Sequence, residues 1–555
     1  MTVRHPAKRG DILELKTTDA EIAAGVTIVD KRYPPGNVLR YGTNTTPGTT
    51  DMSVAVQAAV NAMQSIGGTV VLPDESVRIS QQIEITDPVT IMGGGWGSVV
   101  TCTAASTFIF FLVQDLVTAT SLQGVVFRDF QIDANASGQL DAGIIQGNNA
   151  IVRCYNLRLK NGSRASGVAG VNGISFSKSS GTAPASGVIK DCVLSGFSKA
   201  PINVTSGTDE FLVEGNTCYS NTGNGSTAGI QINGGLGNVK VIGNTCYSNQ
   251  GRGIIVTVVG TTPEQIPKNI IVSNNTCYSN GTGTSVGDGI YFGNAYSGSI
   301  GKEIHAVISG NICYSNGLTT SGTGNGILIE NFQHVTVSGN RCYENGVSGC
   351  KVDTCDNVQI EGNVFYNNNN DVLSNASGLV IDACTEATIL GNHFYDTQGT
   401  ITQDWGVYFD AASSRITMEG NVIEPHDQGF IGGTLPTDSY IDQKGFALQT
   451  TGNTVTNIIA LTMPDTTVAT VQTRTIARET DGTNRAMYED IGLFYREGGS
   501  ATLQGAVANP IAAIESDAAW ATTLNTTGNA FRLRVTGVAA TTINWITDLR
   551  VRLAA

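Results

Sequence analysis

From about residue 170 to residue 425 the chain alternates apolar and polar positions in short bursts, and the bursts recur in one order. The first kind reads G-[IVLC]-x-[IVF]: GISF from 173, GIQI from 229, GIIV from 253, GIYF from 289, GILI from 326, GCKV from 349, GLVI from 378 and GVYF from 406, with PINV from 201 a degenerate copy. An alternating run follows, such as NVKVIG (238–243), NIIVSN (269–274) or HVTVSG (334–339). A G-N-x-[CF]-Y stretch closes the set, printed word for word as GNTCYSN at 215–221 and 243–249. Period-two alternation without a helical period predicts strands. Aligned on Asn216, Asn244, Asn275, Asn311, Asn340, Asn363, Asn392 and Asn421, the units step by 28, 31, 36, 29, 23, 29 and 29 residues. Three short strands per step, all running the same way, predict a right-handed parallel β-helix whose longer steps carry loops.

The Cys and Tyr of N-x-C-Y are adjacent, so they face opposite sides of a strand. Cys218, Cys246, Cys277, Cys313 and Cys342 form one column, continued by Phe365, Phe394 and Ile423. A column that exchanges Cys for Phe and Ile is a core column. The eleven Cys form no CxxC, and the five His (His5, His305, His334, His393, His426) form no HExxH, so no metal site is expected. The Asn column is expected to hold the left-handed turn and to bond along the stack. Tyr219, Tyr247, Tyr278, Tyr314, Tyr343, Tyr366 and Tyr395 are expected in a line on the outside, as a subunit interface or a sugar-stacking platform.

The pattern changes at both ends. Helical spacing begins at Asp51 and predicts a helix over about 51–65 capping the open end of the coil, followed by GGTVVLP. Beyond about 440 longer alternating runs appear, such as VATVQTRTIARE (468–479), and predict an antiparallel β-sandwich. The fold class expected is therefore all-β: a right-handed parallel β-helix over 38–440, then a C-terminal antiparallel β-sandwich over 441–555. Net charge is −14 and 14% of residues are charged, which argues against nucleic acid or an anionic membrane as partner. No apolar run approaches the roughly 18 residues of a membrane span. The start, MTVRHPAKRG, lacks the apolar core of a secretory signal although the composition suits an extracellular protein.

The stretch NVLRYGTNTTPGTTDMSVAVQAAVNAMQSIGGTVVLPDESVRIS (37–80) resembles the N-terminal signature of pectate-lyase-like β-helix proteins: V-x-x-[FY]-G, a Thr-rich turn, an A-x-Q-x-A helix, then GG-x-V-x-[LV]-P. It departs where a DG-x-x-D-D-T turn is usual, having only Asp51. The ending FRLRVTG…TINW…LRVRL resembles C-terminal modules of bacteriophage tail fibres and tailspikes. The order of short head, β-helix and β-sandwich resembles phage tailspike polysaccharide depolymerases. That resemblance implies a homotrimer held to the phage tail or baseplate through residues 1–37, a short attachment segment, with the C-terminal sandwich serving trimerisation or carbohydrate binding. It also implies release by lysis without a signal peptide, and action on bacterial capsular or other surface polysaccharide outside the cell.

Candidate chemistry lies where the repeat lengthens. Loops grow before the G-I-x-I strands at 280–288, 316–325, 367–377 and 396–405, and after them at 259–268 and 293–303. Both sets flank one face and would wall a groove along it. The residue after G-I-x-I points into that groove and reads Ser177, Thr205, Asn233, Thr257, Gly293, Glu330, Asp353, Asp382, Asp410. Four successive coils thus present carboxylates. Strands lie about 4.8 Å apart, so neighbouring carboxylates would stand near the separation of retaining glycosidases and alternate ones slightly beyond the inverting range. Asp382, flanked by carboxylates, is the candidate general acid, because like charges favour its protonated form. Asp353 or Asp410 would be base or nucleophile, and Glu330 a substrate or supporting residue. Tyr291, Tyr408 and Trp405 are candidates for stacking on sugar rings, with Lys351 and Asp404 beside them. The competing use of these Asp is local: each would bond backbone N–H groups in the turn that follows.

Three functions remain open: a glycoside hydrolase, a polysaccharide lyase on the same fold, and a non-catalytic receptor-binding fibre. The lyase needs a base, for which Lys351, Tyr291 or His334 would serve, and the carboxylate column would then hold Ca²⁺. The hydrolase, with no cofactor, is the leading expectation.

Overall fold

The computed structural model describes residues 14–103, 108–114, 124–134, 143–162, 170–177, 186–205, 210–222, 228–234, 237–258, 269–283, 286–294, 305–318, 324–369, 376–410 and 412–555. His5, residues 1–13 of the expected attachment segment, all of the 259–268 loop and large parts of the other expected groove loops lie outside them. The chain divides into two compact units, one centred on the residues up to Val239 and one on Lys240–Ala555. Each is described by itself.

The first unit opens with the helix Ser53–Gln64, inside the expected 51–65. Val56, Ala59, Val60 and Met63 are buried along its core face, and Asp51 accepts from the Ser53 N–H at 3.0 Å. The helix also closes a sheet edge. The Gln57 amide accepts from Glu84 N at 2.9 Å and donates to Glu84 O at 3.0 Å, taking the place of a neighbouring strand. Parallel coils of three strands follow. Thr69–Val71, Ser76–Arg78 and Ile83–Ile85 each pair in parallel with a strand of the next coil, Thr90–Met92, Val99–Thr101 and Phe111–Gln114.

The second unit continues the same coil pattern and then changes topology. The G-I-x-I bursts form parallel strands Arg252–Val258, Ile290–Asn294, Ile327–Glu330, Cys350–Asp353, Ser377–Asp382, Trp405–Phe409 and Gly429–Gly433, the site sheet. The first residues of Tyr440–Thr451 pair in parallel with Thr417–Glu419, and the strand then runs antiparallel to Thr542–Ala554. Antiparallel pairing continues through Thr467–Glu479 and Arg485–Arg496. A second antiparallel sheet joins Val455–Thr462, Ala530–Thr536 and Ala521–Thr527. Phe494 packs on Phe531 at 5.4 Å and Trp520 on Trp545 at 5.9 Å. The fold is all-β, a right-handed parallel β-helix followed by an antiparallel β-sandwich.

The Cys column is core, as its exchange with Phe and Ile predicts: Cys218, Cys246, Cys277, Cys313, Cys342, Phe365 and Phe394 are all 0% exposed, and all eleven Cys are buried thiols outside any disulfide. The Asn column needs a correction. Its residues do not take the left-handed conformation; their neighbours do, Gly243, Asn274 and Gly339 before and Ser248, Ser279 and Ser315 after the Tyr. Freed from the turn, the buried Asn side chains from Asn275 to Asn421 each bond four ways. Asn340 Oδ1 accepts from Asn311 N and Asn311 Nδ2 at 2.9 Å each, and its Nδ2 donates to Ile308 O at 2.8 Å and Asn363 Oδ1 at 2.9 Å. A second ladder runs through the closing Asn of C-Y-S-N: Asn249, Asn280, Asn316, Asn345 and Asn368, ending on Gln403. The tyrosines are half-buried rather than free, because they cover one another: rings from Tyr247 to Tyr395 stack at 4.6–5.0 Å with planes within 7°.

Candidate active site

Every candidate site residue but His334 sits on or beside the site sheet of the second unit. Alternation turns Ile327, Ile329, Val352, Leu379 and Ile381 inward, each 0% exposed, and turns their neighbours out. Glu330, Asp353 and Asp382 are register partners on successive strands. So are Tyr291, Leu328, Lys351, Val380 and Tyr408, two residues earlier.

One group forms around Lys351. Its Nζ lies 3.0 Å from Asp353 Oδ2 and 2.8 Å from Asp382 Oδ2, with all three side chains 25–29% exposed. The two Oδ2 atoms are therefore no more than about 6 Å apart, below the inverting range and compatible with the retaining one. Burial works against the Lys351 ammonium, but the hydrogen bonds it donates to Asp382 and Asp353 outweigh it and hold the amine above the ordinary lysine value. The expected carboxylate row is thus interrupted by a cation. Alternation put Lys351 on the same face, but the charge argument for Asp382 counted only its acidic neighbours.

Asp410 serves the turn instead. Its Oδ1 accepts from Ala412 N at 2.8 Å and its own N–H bonds Ile381 O at 2.9 Å. Tyr408, beside it, has its hydroxyl pushed up by burial and by the charges of Asp410 and Asp382. Asp353 divides its acceptors, Oδ2 to Lys351 and Oδ1 to the Thr354 hydroxyl at 2.7 Å.

A second group lies two strands away. Tyr291 donates to Glu330 Oε2 at 2.7 Å, and the Arg252 guanidinium covers its ring at 3.9 Å. Burial, then the Glu330 hydrogen bond and charge, push the Tyr291 phenol up to about 12. Arg252 Nε is 2.8 Å from Asp288 Oδ2, whose side chain is 0% exposed. Asp288 Oδ1 takes Asn325 N at 2.9 Å and Nδ2 at 3.0 Å. Sequence reasoning missed Arg252, Asp288 and Asn325, yet all three occupy one repeat position, immediately before the Gly of G-I-x-I. That polar column was the available signal.

Trp405 and Asp404 do not join either group. The Trp405 backbone pairs with Ser377, five residues or about 17 Å along a strand before Asp382, while its indole reaches Gly432, the register partner of Tyr408. The Trp405 indole lies so close over Gly432 that a Cβ there would stand 2.3 Å from a ring carbon, which only glycine permits. Asp404 holds the strand entrance through backbone bonds with Ala376 and Gln428. His334 lies on another sheet, in strand Gln333–Ser338, with Nδ1 3.0 Å from the Asn357 amide.

The family model described as right handed beta helix region matches residues 287–459, the part that holds most of this site. No curated protein matches the chain by sequence. Among solved structures, bacteriophage phi29 gene product 12 in its pre-mature form is similar over 72% of this chain and 55% of its own, at 14% identity and a TM-score of 0.56. The Dettilon tailspike protein matches over 93% and 94% at 15% identity and a TM-score of 0.46. The A-module of Azotobacter vinelandii mannuronan C-5 epimerase AlgE6 matches over 73% and 97% at 17% identity and 0.49. The likeness to gene product 12 is one of fold.

Proposed function

We propose that the protein is a phage tailspike depolymerase, a glycoside hydrolase that cleaves bacterial capsular or surface polysaccharide within the chain. The observation that carries the chemistry is the Asp353–Lys351–Asp382 group: two in-register carboxylates within retaining distance on one exposed sheet face. As the sugar displaces Lys351, Asp382 takes up a proton from solvent and donates it to the leaving glycosidic oxygen. Asp353 attacks the anomeric carbon, and water then releases the sugar from it, so that one water is added across the bond broken. Lys351 leaves the bridge when the sugar enters and fixes the carboxylates until then. Tyr408 and Trp405 bind sugar rings. Glu330, held by Tyr291, and Asp404 contact substrate hydroxyls.

The sites also bear on the lyase alternative. Lys351 and Tyr291, two of its three candidate bases, are both held in their protonated forms at neutral pH, and His334 faces elsewhere. A lyase must also neutralise a uronate carboxylate. Here Glu330, Asp353, Asp382, Asp410 and Asp288 outnumber Arg252 and Lys351. The phage context rests on the sequence resemblance at the two ends of the chain. With it come the homotrimer, tail attachment through the N-terminus, a place in the virion and the domain limits 1–37, 38–440 and 441–555.

The test is cleavage of a panel of capsular polysaccharides. New reducing ends that vanish in Asp382→Asn and Asp353→Asn, with unfolding unchanged, support the proposal. Products absorbing as unsaturated uronates would indicate a lyase, and binding without products a fibre.

A further inference from the structure

The first unit presents a different surface on its G-I-x-I strands. Gly143–Asn148, Asn172–Ser177, Ile202–Thr205 and Ala228–Asn233 pair in parallel and in register. Their outward positions are Gln146, Ser175, Asn203 and Gln231 in one row and Asn148, Ser177, Thr205 and Asn233 in the other. All eight are amides or hydroxyls, and none is charged. The other two faces of the same unit differ: Arg153, Lys190, Glu210 and Glu214 point out from one, Asp133, Arg158 and Lys160 from the other. Absence of charge is therefore a property of these four strands; two strands earlier on the same face Glu84 points out, in register through Leu112 with Gln146.

Part of the face is bonded within itself. Asn148 Oδ1 takes Gln146 Nε2 at 3.1 Å and Ser177 Oγ at 2.8 Å. At the other end Gln231 and Asn233 are half-buried, and neither side chain hydrogen-bonds to another described residue. An amide offers two donors and two acceptor sites, which matches a sugar hydroxyl that both gives and takes. Four strands at about 4.8 Å spacing make a strip about 14 Å from first to last, long enough for a short oligosaccharide. An uncharged strip binds such a ligand without desolvating ions, and its eight side chains include no cation to pair with a uronate, phosphate or pyruvate group.

We propose that this strip is a subsite for neutral glycan, centred on Asn203 and Gln231, and that the polysaccharide bound there lacks acidic substituents. The inference rests on the polysaccharide reading above and names its substrate class. The experiment is affinity electrophoresis of the full chain, in the Asp382→Asn background, through gels containing bacterial capsular polysaccharides of known repeat, half bearing acidic groups and half not. Retention is expected in neutral polymers, little changed by salt, and weakened about tenfold by Asn203→Leu with Gln231→Leu. A Gln231→Glu variant with an unchanged melting temperature separates lost contacts from lost fold, and it too is expected to weaken retention. Retention only by acidic polymers, by none, or to the same extent in the variants overturns the subsite. Failure of the enzyme reading looks different: neutral polymers are retained by the parent chain but never cleaved.

Discussion

At the residue scale one ammonium, that of Lys351, stands between two carboxylates. Lys351 has a raised pKa, so its ion pairs persist through the neutral range and are lost only as pH climbs through that raised value. Replacing Lys351 by Met removes the only cation within the group. Two carboxylates without a cation between them hold a shared proton to higher pH, so the alkaline limb of the pH–rate profile is expected to move upward in Lys351→Met. An unmoved limb would remove Lys351 from the site. Asp382→Asn is expected to lower kcat by about 10²–10⁴, the range of a lost general acid, whereas Asp410→Asn, with its carboxylate already on the Ala412 N–H, is expected to lower thermal stability slightly and leave most of kcat. Much of this site was legible. Period-two alternation placed Glu330, Lys351, Asp353 and Asp382 on one face. Which partners they chose was not legible, because a spacing of two residues gives the face and not the reach of a long Lys side chain.

At the element scale the ladders carry the strongest expectations. Asn340→Ala removes four hydrogen bonds and leaves the buried Asn311 N–H and Ile308 carbonyl without them, a cost of about 2–4 kcal/mol in unfolding free energy. The role assigned to this Asn from sequence was partly misplaced. Asn is common at left-handed turns, but here Gly and Ser neighbours take that conformation, and propensity alone does not show which neighbour wins. The second ladder was equally visible as the final Asn of C-Y-S-N. It escaped notice because Cys and Tyr supplied a sufficient reason for the repeat. Near the N-terminus, Glu21 and Arg40 form a fully buried ion pair, with Tyr41 donating to Glu21 Oε1 at 2.9 Å. Burial alone would raise the Glu21 carboxyl, but Arg40, the Thr18 N–H and Tyr41 bring it down to about 2. Because the folded value is depressed, this stabilisation is full above the ordinary glutamate value and fades as pH falls from there to about 2. Proteolysis of residues 14–32 should therefore accelerate only at strongly acidic pH. Glu21→Gln, which strands the Arg40 charge, should release the segment at neutral pH at a cost of about 3–5 kcal/mol.

At the scale of the whole molecule, two surfaces on G-I-x-I strands divide the work proposed. In this proposal the cleavage chemistry belongs to the paired charges of the second unit, and sugar binding to the uncharged amides of the first. The β-helix supplies both for the same reason: a two-residue alternation, repeated at strand spacing, turns single positions into columns, and a column can be all carboxylate, all amide or all tyrosine. The central claim is that a glycosidic bond is hydrolysed at Asp382 and Asp353. It is tested most directly by mass spectrometry of the oligosaccharides released from a cleaved capsular polysaccharide. Hydrolysis predicts whole repeat units plus one water, absent from the Asp382→Asn and Asp353→Asn digests; products lacking that water, or products persisting undiminished in both variants, would contradict it.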